Sequence, residues 1–326
     1  MKIFLKILKL SLPFILGIGI LWWMYRGNNW TDFFHILTDE MHWGWMLTSF
    51  IFGILAQQVR AWRWRMALSP IGEHPRRRSC EDAIFISYAT SLVVPRIGEV
   101  MRCGAIKRSD GVSFSKSLGT VITERIIDSL VMLILTALAL LMQIPVFIKF
   151  VHTTGLDLGS FLRGFTTTGY LVTLICLLAI VGTGFYLIRT RFSRFCDFWQ
   201  NLKSGLLSLR KVKNLPLYIT LSFSINLCYF LHFYLAFFCF DFTSHFGPAA
   251  AFLICCVGSF AVLVPTPNGA GPWHFAVKTM LVLYGVAEVD AINFALVVHT
   301  VQTGLVILLG VVGALGLNLR KKINTQ

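Results

Sequence analysis

An apolar segment interrupted by helix-breaking residues occurs twice in this chain. That pairing limits the possible folds more than any other feature. The first copy runs Ala83 to Pro95 and breaks at Pro95-Arg96-Ile97-Gly98-Glu99. The second runs Ala249 to Val264 and breaks over Pro265 to Pro272, where three prolines and two glycines fall within eight residues. A helix of the first length rises ~20 Å at about 1.5 Å per residue, short of a ~30 Å hydrocarbon core. Such a segment enters a membrane and stops. Irregular backbone at that depth is tolerated only where protein or a water-filled cavity covers it. Paired interruptions in corresponding places of two halves point to the ligand site of a carrier.

The chain is long and apolar enough for this reading. Its 326 residues are 56% hydrophobic, with a mean hydropathy of +0.71. Long runs nearly free of charge recur, which predicts an all-α polytopic membrane protein and excludes an ordinary soluble domain. Spanning helices are expected near 10–25, 43–59, 117–143, 166–188, 217–240 and 291–317. Re-entrant hairpins are expected at roughly 83–110 and 249–284. The N-terminus resembles a signal peptide, with Lys2, Lys6 and Lys9 before an apolar run. That run ends in Trp22-Trp23-Met24-Tyr25-Arg26 without a small-residue cleavage site, so it reads as an uncleaved first helix.

The net charge of +14 would suit a nucleic-acid binder. Its distribution argues otherwise. With the N-terminus inside, 24 of the 29 Lys and Arg residues fall in cytoplasmic segments, and only Arg26, Lys149 and Arg163 fall on the other face. That bias is the positive-inside signature. It places both termini in the cytoplasm and makes membrane lipids, not nucleic acid, the expected partners. Residues 189–216 read as a basic amphipathic surface helix. The eight cysteines show no Cys-x-x-Cys spacing and read as reduced apolar fillers.

The order of elements repeats. Two spans, a hairpin and a span make up residues 1–150; the same order makes up 151–326, starting from the opposite face. This predicts one transmembrane domain built as an inverted-topology repeat.

Within this frame, several residues are candidates for a substrate site. Arg96, Glu99 and Arg102 follow the first break. Glu99 and Arg102 are three apart on one helix face, and a helix start flanked by Arg96 favours an anion such as phosphate. Glu124, Arg125 and Asp128 lie early in the third span. Glu124 and Asp128 share a face, and Arg125 can pair with Asp128. Intramembrane charge is costly, so the cluster reads either as a site or as an internally paired structural group. The breaks themselves rest on Pro95 and Gly98 in the first, and on Pro265, Pro267, Gly269 and Gly271 in the second. His274 follows the second break; it, His232 and His299 read first as hydrogen-bonded packing residues. Arg60, Trp62, Arg63, Trp64 and Arg65 close the second span and read as an interface anchor. No nucleophile-elbow, P-loop or zinc-protease motif is present, so no catalytic residue, metal or cofactor is expected.

These residues resemble a known family. Val94-Pro95-Arg96-Ile97-Gly98-Glu99-Val100-Met101-Arg102 is similar to the Pro-Gly-Arg-x-Gly-Glu-x-x-Arg segment of the lysylphosphatidylglycerol synthase transmembrane-region family of flippase-like membrane proteins. Glu124-Arg125-Ile126-Ile127-Asp128 resembles its Glu-Arg-x-x-Asp. Pro265-Thr266-Pro267-Asn268-Gly269-Ala270-Gly271 resembles its Pro-x-Pro-Gly-Gly-x-Gly. Arg60-Ala61-Trp62-Arg63-Trp64 fits the end of its second span. The family includes the translocase half of the multiple peptide resistance factor, which flips aminoacylated phosphatidylglycerol. Asn268 replaces a glycine here, and His274 stands where many members carry a glutamate. No soluble aminoacyl-transferase domain is expected. The resemblance implies an inner-membrane translocase for an anionic or zwitterionic headgroup. Three alternatives are a membrane-embedded transferase using Glu99, Glu124 or Asp128 as base, a non-transporting subunit that docks a cytoplasmic partner, and an ion-coupled solute carrier. A homo-oligomer is left open.

Overall fold

The computed structural model describes residues 2–26, 30–144, 212 and 214–324. The expected span 166–188 and nearly all of the expected surface helix 189–216 lie outside them. Among the described residues the chain is helical and contains no strand. We number the main helices α1 (Lys2–Tyr25), α2 (Trp43–Leu68), α3 (Arg77–Val93), α4 (Ile97–Asp110), α5 (Phe114–Met142), α6 (Leu215–Phe237), α7 (Pro248–Ala261), α8 (Pro272–Leu283) and α9 (Glu288–Asn324).

Local chemistry sets the boundaries. Pro95 disfavours the helical conformation for the residue before it. Val94 is accordingly extended, and α3 ends there. Arg96 then adopts a left-handed conformation with φ 63°, which costs a side-chain-bearing residue about 1–2 kcal/mol. α6 begins at Asn214, whose side chain accepts from the Leu217 N–H at 3.1 Å, with Pro216 in its first turn. Pro248 and Pro272 open α7 and α8 in the same way, because the missing N–H is not needed there.

Among the described residues, three helices are long and apolar enough to cross a membrane: Phe114–Met142, Leu215–Phe237 and Glu288–Asn318. They match three of the expected spans within a few residues. Phe14–Tyr25 and Pro248–Ala261 are shorter apolar helices. The expected span at 43–59 is helical but continues to Leu68, and it does not reach the same apolarity. Gln57, Arg60, Arg63 and Arg65 dilute it, and the first three are buried inside the protein or close to it rather than turned to an apolar surround.

Both expected hairpins are helix–break–helix units closed at their base. In the first, α3 and α4 are joined where Arg76 meets Asp110: the Arg76 backbone N–H donates to Asp110 Oδ2 at 2.7 Å and its Nη2 donates to Oδ1 at 2.7 Å. Higher up, the arms approach so closely that a Cβ on Gly98 would stand 1.9 Å from the Ser87 carbonyl oxygen. In the second, the Phe246 and Tyr284 rings, 5.7 Å apart, bring the outer ends of α7 and α8 together.

The hairpins dock in a crossed pattern. α3 packs along α9, and α7 packs on α5. The α3–α9 contact is close because Gly310, Gly313 and Gly316 face Ala89, Phe85 and Asp82. α2 runs antiparallel along α6: Ser49 meets His232, Gln57 meets Tyr229, and Arg63 meets Ser222. A large apolar core centred on Phe233, Phe237, Phe240 and Phe294 fills the end where α6, α7, α8 and α9 converge.

Candidate functional site

Three elements assemble one ion-paired network. α2 contributes Arg60 and Arg63, α4 contributes Glu99 and Arg102, and α5 contributes Glu124, Arg125 and Asp128. Asp128 accepts a hydrogen bond from Arg60 Nη1, 2.9 Å from Oδ2, and forms an ion pair through Oδ1 with Arg63 Nη1 at 2.6 Å. Glu124 lies 3.5 Å from Arg63 Nε and 2.9 Å from Arg102 Nη2. Arg125 Nε is 3.0 Å from Glu99 Oε1, and its Nη2 is 3.7 Å from Asp128 Oδ2. The shared face of Glu124 and Asp128 thus brings both onto Arg63, as their spacing predicts.

The centre of the network is fully enclosed. The side chains of Arg63 and Glu124 are 0% exposed and that of Arg102 is 1% exposed. Aromatic rings wall the arginines. Arg102 stacks over Trp64 at 4.6 Å, Arg63 lies 5.5 Å from Tyr218, and Arg60 lies 5.9 Å from both Tyr88 and Tyr229. A polar chain extends from it, in which Gln57 Nε2 donates to Tyr229 Oη at 3.2 Å and the Tyr229 hydroxyl donates to Tyr88 Oη at 2.8 Å. Several buried guanidinium nitrogens, among them Arg63 Nη2 and Arg102 Nε and Nη1, have no hydrogen-bond acceptor among the described residues. Ion pairing has neutralised most of the charge, but donor capacity remains.

This arrangement changes the sequence reading at three points. Arg60 and Arg63 are not boundary anchors; they are buried partners of Glu124 and Asp128. One helix face carries Gln57, Arg60, Arg63, Trp64 and Ala67 inward, while Trp62 is exposed. The three- and four-residue spacing of 57, 60, 63, 64 and 67 was the available signal. Glu99 pairs with Arg125 in place of the same-face Arg102, whose partner is Glu124 across the helix interface. Arg96 is exposed, has no ion pair among the described residues, and does not join Arg102 in one cradle. Six residues separate the two, which turns them to different sides of α4.

The second break forms a separate cluster. Asn268, at φ 52°, donates from Nδ2 to Thr303 Oγ1 at 2.8 Å, and His299 Nε2 lies 3.1 Å from the Asn268 carbonyl oxygen. The Gly271 N–H donates to His274 Nδ1 at 3.3 Å, the bond that a side chain at the third helical position makes to the residue before α8. The His274 ring stands 4.3 Å from His299 and edge-on to Tyr25 at 5.9 Å. His232 is likewise engaged, with Nδ1 2.8 Å from the Ser49 carbonyl oxygen. Gly269 and Gly271 have φ 70° and 91°. A Cβ on Gly271 would stand 3.0 Å from the Gly17 carbonyl oxygen and from Ile20 Cβ, so the break lies directly against α1. Pro265 and Pro267 bracket Thr266 at the end of α7, where the helix can no longer continue. The first hairpin reaches this place too, since α3 touches the 267–269 turn. Pro95 and Gly98 shape its own tip.

The family model described as lysylphosphatidylglycerol synthase TM region matches residues 10–310. The chain belongs to this family. The match spans both hairpins, the ion-paired network and the second break. No curated protein and no solved structure matches the chain. Membership supports a membrane protein related to lipid handling.

Proposed function

We propose that the chain is a flippase-like lipid translocase of a bacterial-type inner (plasma) membrane, moving a phospholipid or lipid-linked headgroup between leaflets without covalent chemistry. The observation that carries this reading is the buried arginine–carboxylate network, set beside a broken hairpin whose first arm reaches the second break. Charged side chains in an apolar protein are retained where they line the path of a polar group. Two hairpins meeting between spanning helices give that path irregular, polar backbone. The exchange of hairpins between halves, α3 onto α9 and α7 onto α5, and the antiparallel pairing of α2 with α6, support an inverted repeat with six spans and two re-entrant hairpins. The basic bias supports both termini in the cytoplasm.

The transferase alternative gains less. Each candidate base, Glu99, Glu124 and Asp128, faces an arginine that competes for its lone pairs. The test is reconstitution of the purified chain in vesicles carrying a labelled phospholipid in one leaflet. Protein-dependent exchange of the label between leaflets is expected. Exchange no faster than in empty vesicles would remove the translocase reading, and a covalently altered lipid would replace it with the transferase.

A further inference from the structure

We infer that Arg125, together with Arg96, receives the phosphate of an anionic, amine-free lipid headgroup, and that Glu99 is the carboxylate this phosphate displaces. The inference rests on the lipid-handling reading above and adds its substrate class and the residue that gates it.

Charge comes first. The network sets Arg60, Arg63, Arg102 and Arg125 against Glu99, Glu124 and Asp128. One positive charge is left over. Glu124 and Asp128 stay held by buried arginines, and the displaced Glu99 turns to solvent, so no carboxylate of the network is left facing the headgroup to receive an ammonium group. A headgroup that brings net negative charge completes the balance. One that carries a compensating amine does not, and its amine would face arginines.

Exchangeability comes second. Glu124 cannot leave, because it is fully enclosed and would strand Arg63 and Arg102 as uncompensated buried charges. Glu99 and Arg125 differ. Their side chains are 34% and 40% exposed, at the edge of the network. An exposed ion pair contributes little and is open to competition.

Fit comes third. Arg125 Nε is 3.0 Å from Glu99 Oε1, yet this buried nitrogen donates no hydrogen bond among the described residues. The contact is proximity of charge without alignment. A phosphate offers several acceptor oxygens and can meet the planar guanidinium with two parallel bonds, a better match than this carboxylate makes. Arg96 stands three residues before Glu99, exposed and free of an ion pair among the described residues. It can supply the second cation once the phosphate has arrived. The step is an exchange of ion-pair partners: Glu99 swings toward solvent and no covalent bond changes.

The experiment uses the full chain, purified in gentle detergent and offered vesicles of phosphatidylcholine doped with phosphatidylglycerol, phosphatidylethanolamine or lysylphosphatidylglycerol. Retained lipid is measured by native mass spectrometry. Wild-type protein is expected to retain phosphatidylglycerol over both amine-bearing lipids. Glu99→Gln is isosteric, leaves the enclosed ion pairs intact, and removes the internal competitor. It is expected to bind phosphatidylglycerol about two- to five-fold more tightly, the range set by one exposed ion pair. Arg125→Ala is expected to abolish that gain in the double variant. Unchanged or weaker phosphatidylglycerol binding by Glu99→Gln would overturn the inference, as would a selective loss of the amine-bearing lipids. Elution of the lipid by inorganic phosphate at equal concentration would assign the site to the free anion and overturn the headgroup. The translocase reading fails separately: tighter binding by Glu99→Gln without leaflet exchange in wild-type vesicles leaves this site standing and removes transport. Exchange with no effect of Glu99→Gln does the reverse.

Discussion

Glu124 is the residue on which the ion-paired network depends most. It is the ion-pair partner of Arg102 and one of two for Arg63, and no part of its side chain is exposed. Glu124→Gln keeps the shape and removes the charge. Leaving a buried arginine uncompensated costs about 3–5 kcal/mol, so this variant is expected to unfold at a clearly lower temperature in detergent. Adding Arg102→Met, which removes the stranded charge and keeps much of the volume over Trp64, is expected to recover part of the loss. A thermal shift by tryptophan fluorescence measures both, and additive losses in the double variant would show that the two side chains do not act as a pair. The contrast between Glu124 and Glu99 was not legible in the sequence. Both are acids with an arginine within three residues along the chain, and only the packing of α2, α4 and α5 makes one enclosed and the other exchangeable.

At the scale of elements, the two breaks do different work. The first is a tight turn: Pro95 ends α3, Arg96 reverses the chain in a left-handed conformation, and Gly98 lets α4 fall against Ser87. The second is a longer polar bridge, fastened to α9 through Asn268–Thr303 and His299 and pressed against α1 at Gly271. Leucine at Gly269 or Gly271 would need a positive φ that side chains disfavour, and would meet Val262 in the first case and α1 in the second. Both variants are expected to insert and express near normally but to lose leaflet exchange, measured in reconstituted vesicles against matched protein amounts. Full exchange in either would show that the bridge takes no part in transport. The histidine at 274 has a physical role available to it that a glutamate could also fill: accepting from the Gly271 N–H to cap α8. That shared role gives a reason why the exchange of one for the other, which the family resemblance suggests, need not disturb the break.

At the scale of the whole molecule, topology is the open test. The proposed topology, with both termini in the cytoplasm, predicts position 111 after the first hairpin inside and position 288 after the second outside. Single cysteines at these positions, placed in a background without the eight native ones, are expected to react with an impermeant maleimide from opposite sides of sealed membranes. Labelling of position 288 only from the cytoplasm would mean that the second hairpin crosses the membrane and does not return.

Much of the architecture follows from local chemistry. Apolar runs, prolines and glycines place helix ends within a few residues, because a proline or a positive φ acts on the backbone whatever surrounds it. This is how α3 ends at Val93, α8 starts at Pro272, and the broken segments stand out before any packing is known. Distant residues share no such local rule. Nothing in Arg60-Ala61-Trp62-Arg63-Trp64 states that Glu124 and Asp128 await its arginines. The same arginines at a solvated helix end would carry the same positive-inside signal. Burial, ion-pair choice and the crossed docking of the hairpins were decided by tertiary structure alone, since an enclosed charge is tolerable only where helices far apart in sequence bring its partner within reach.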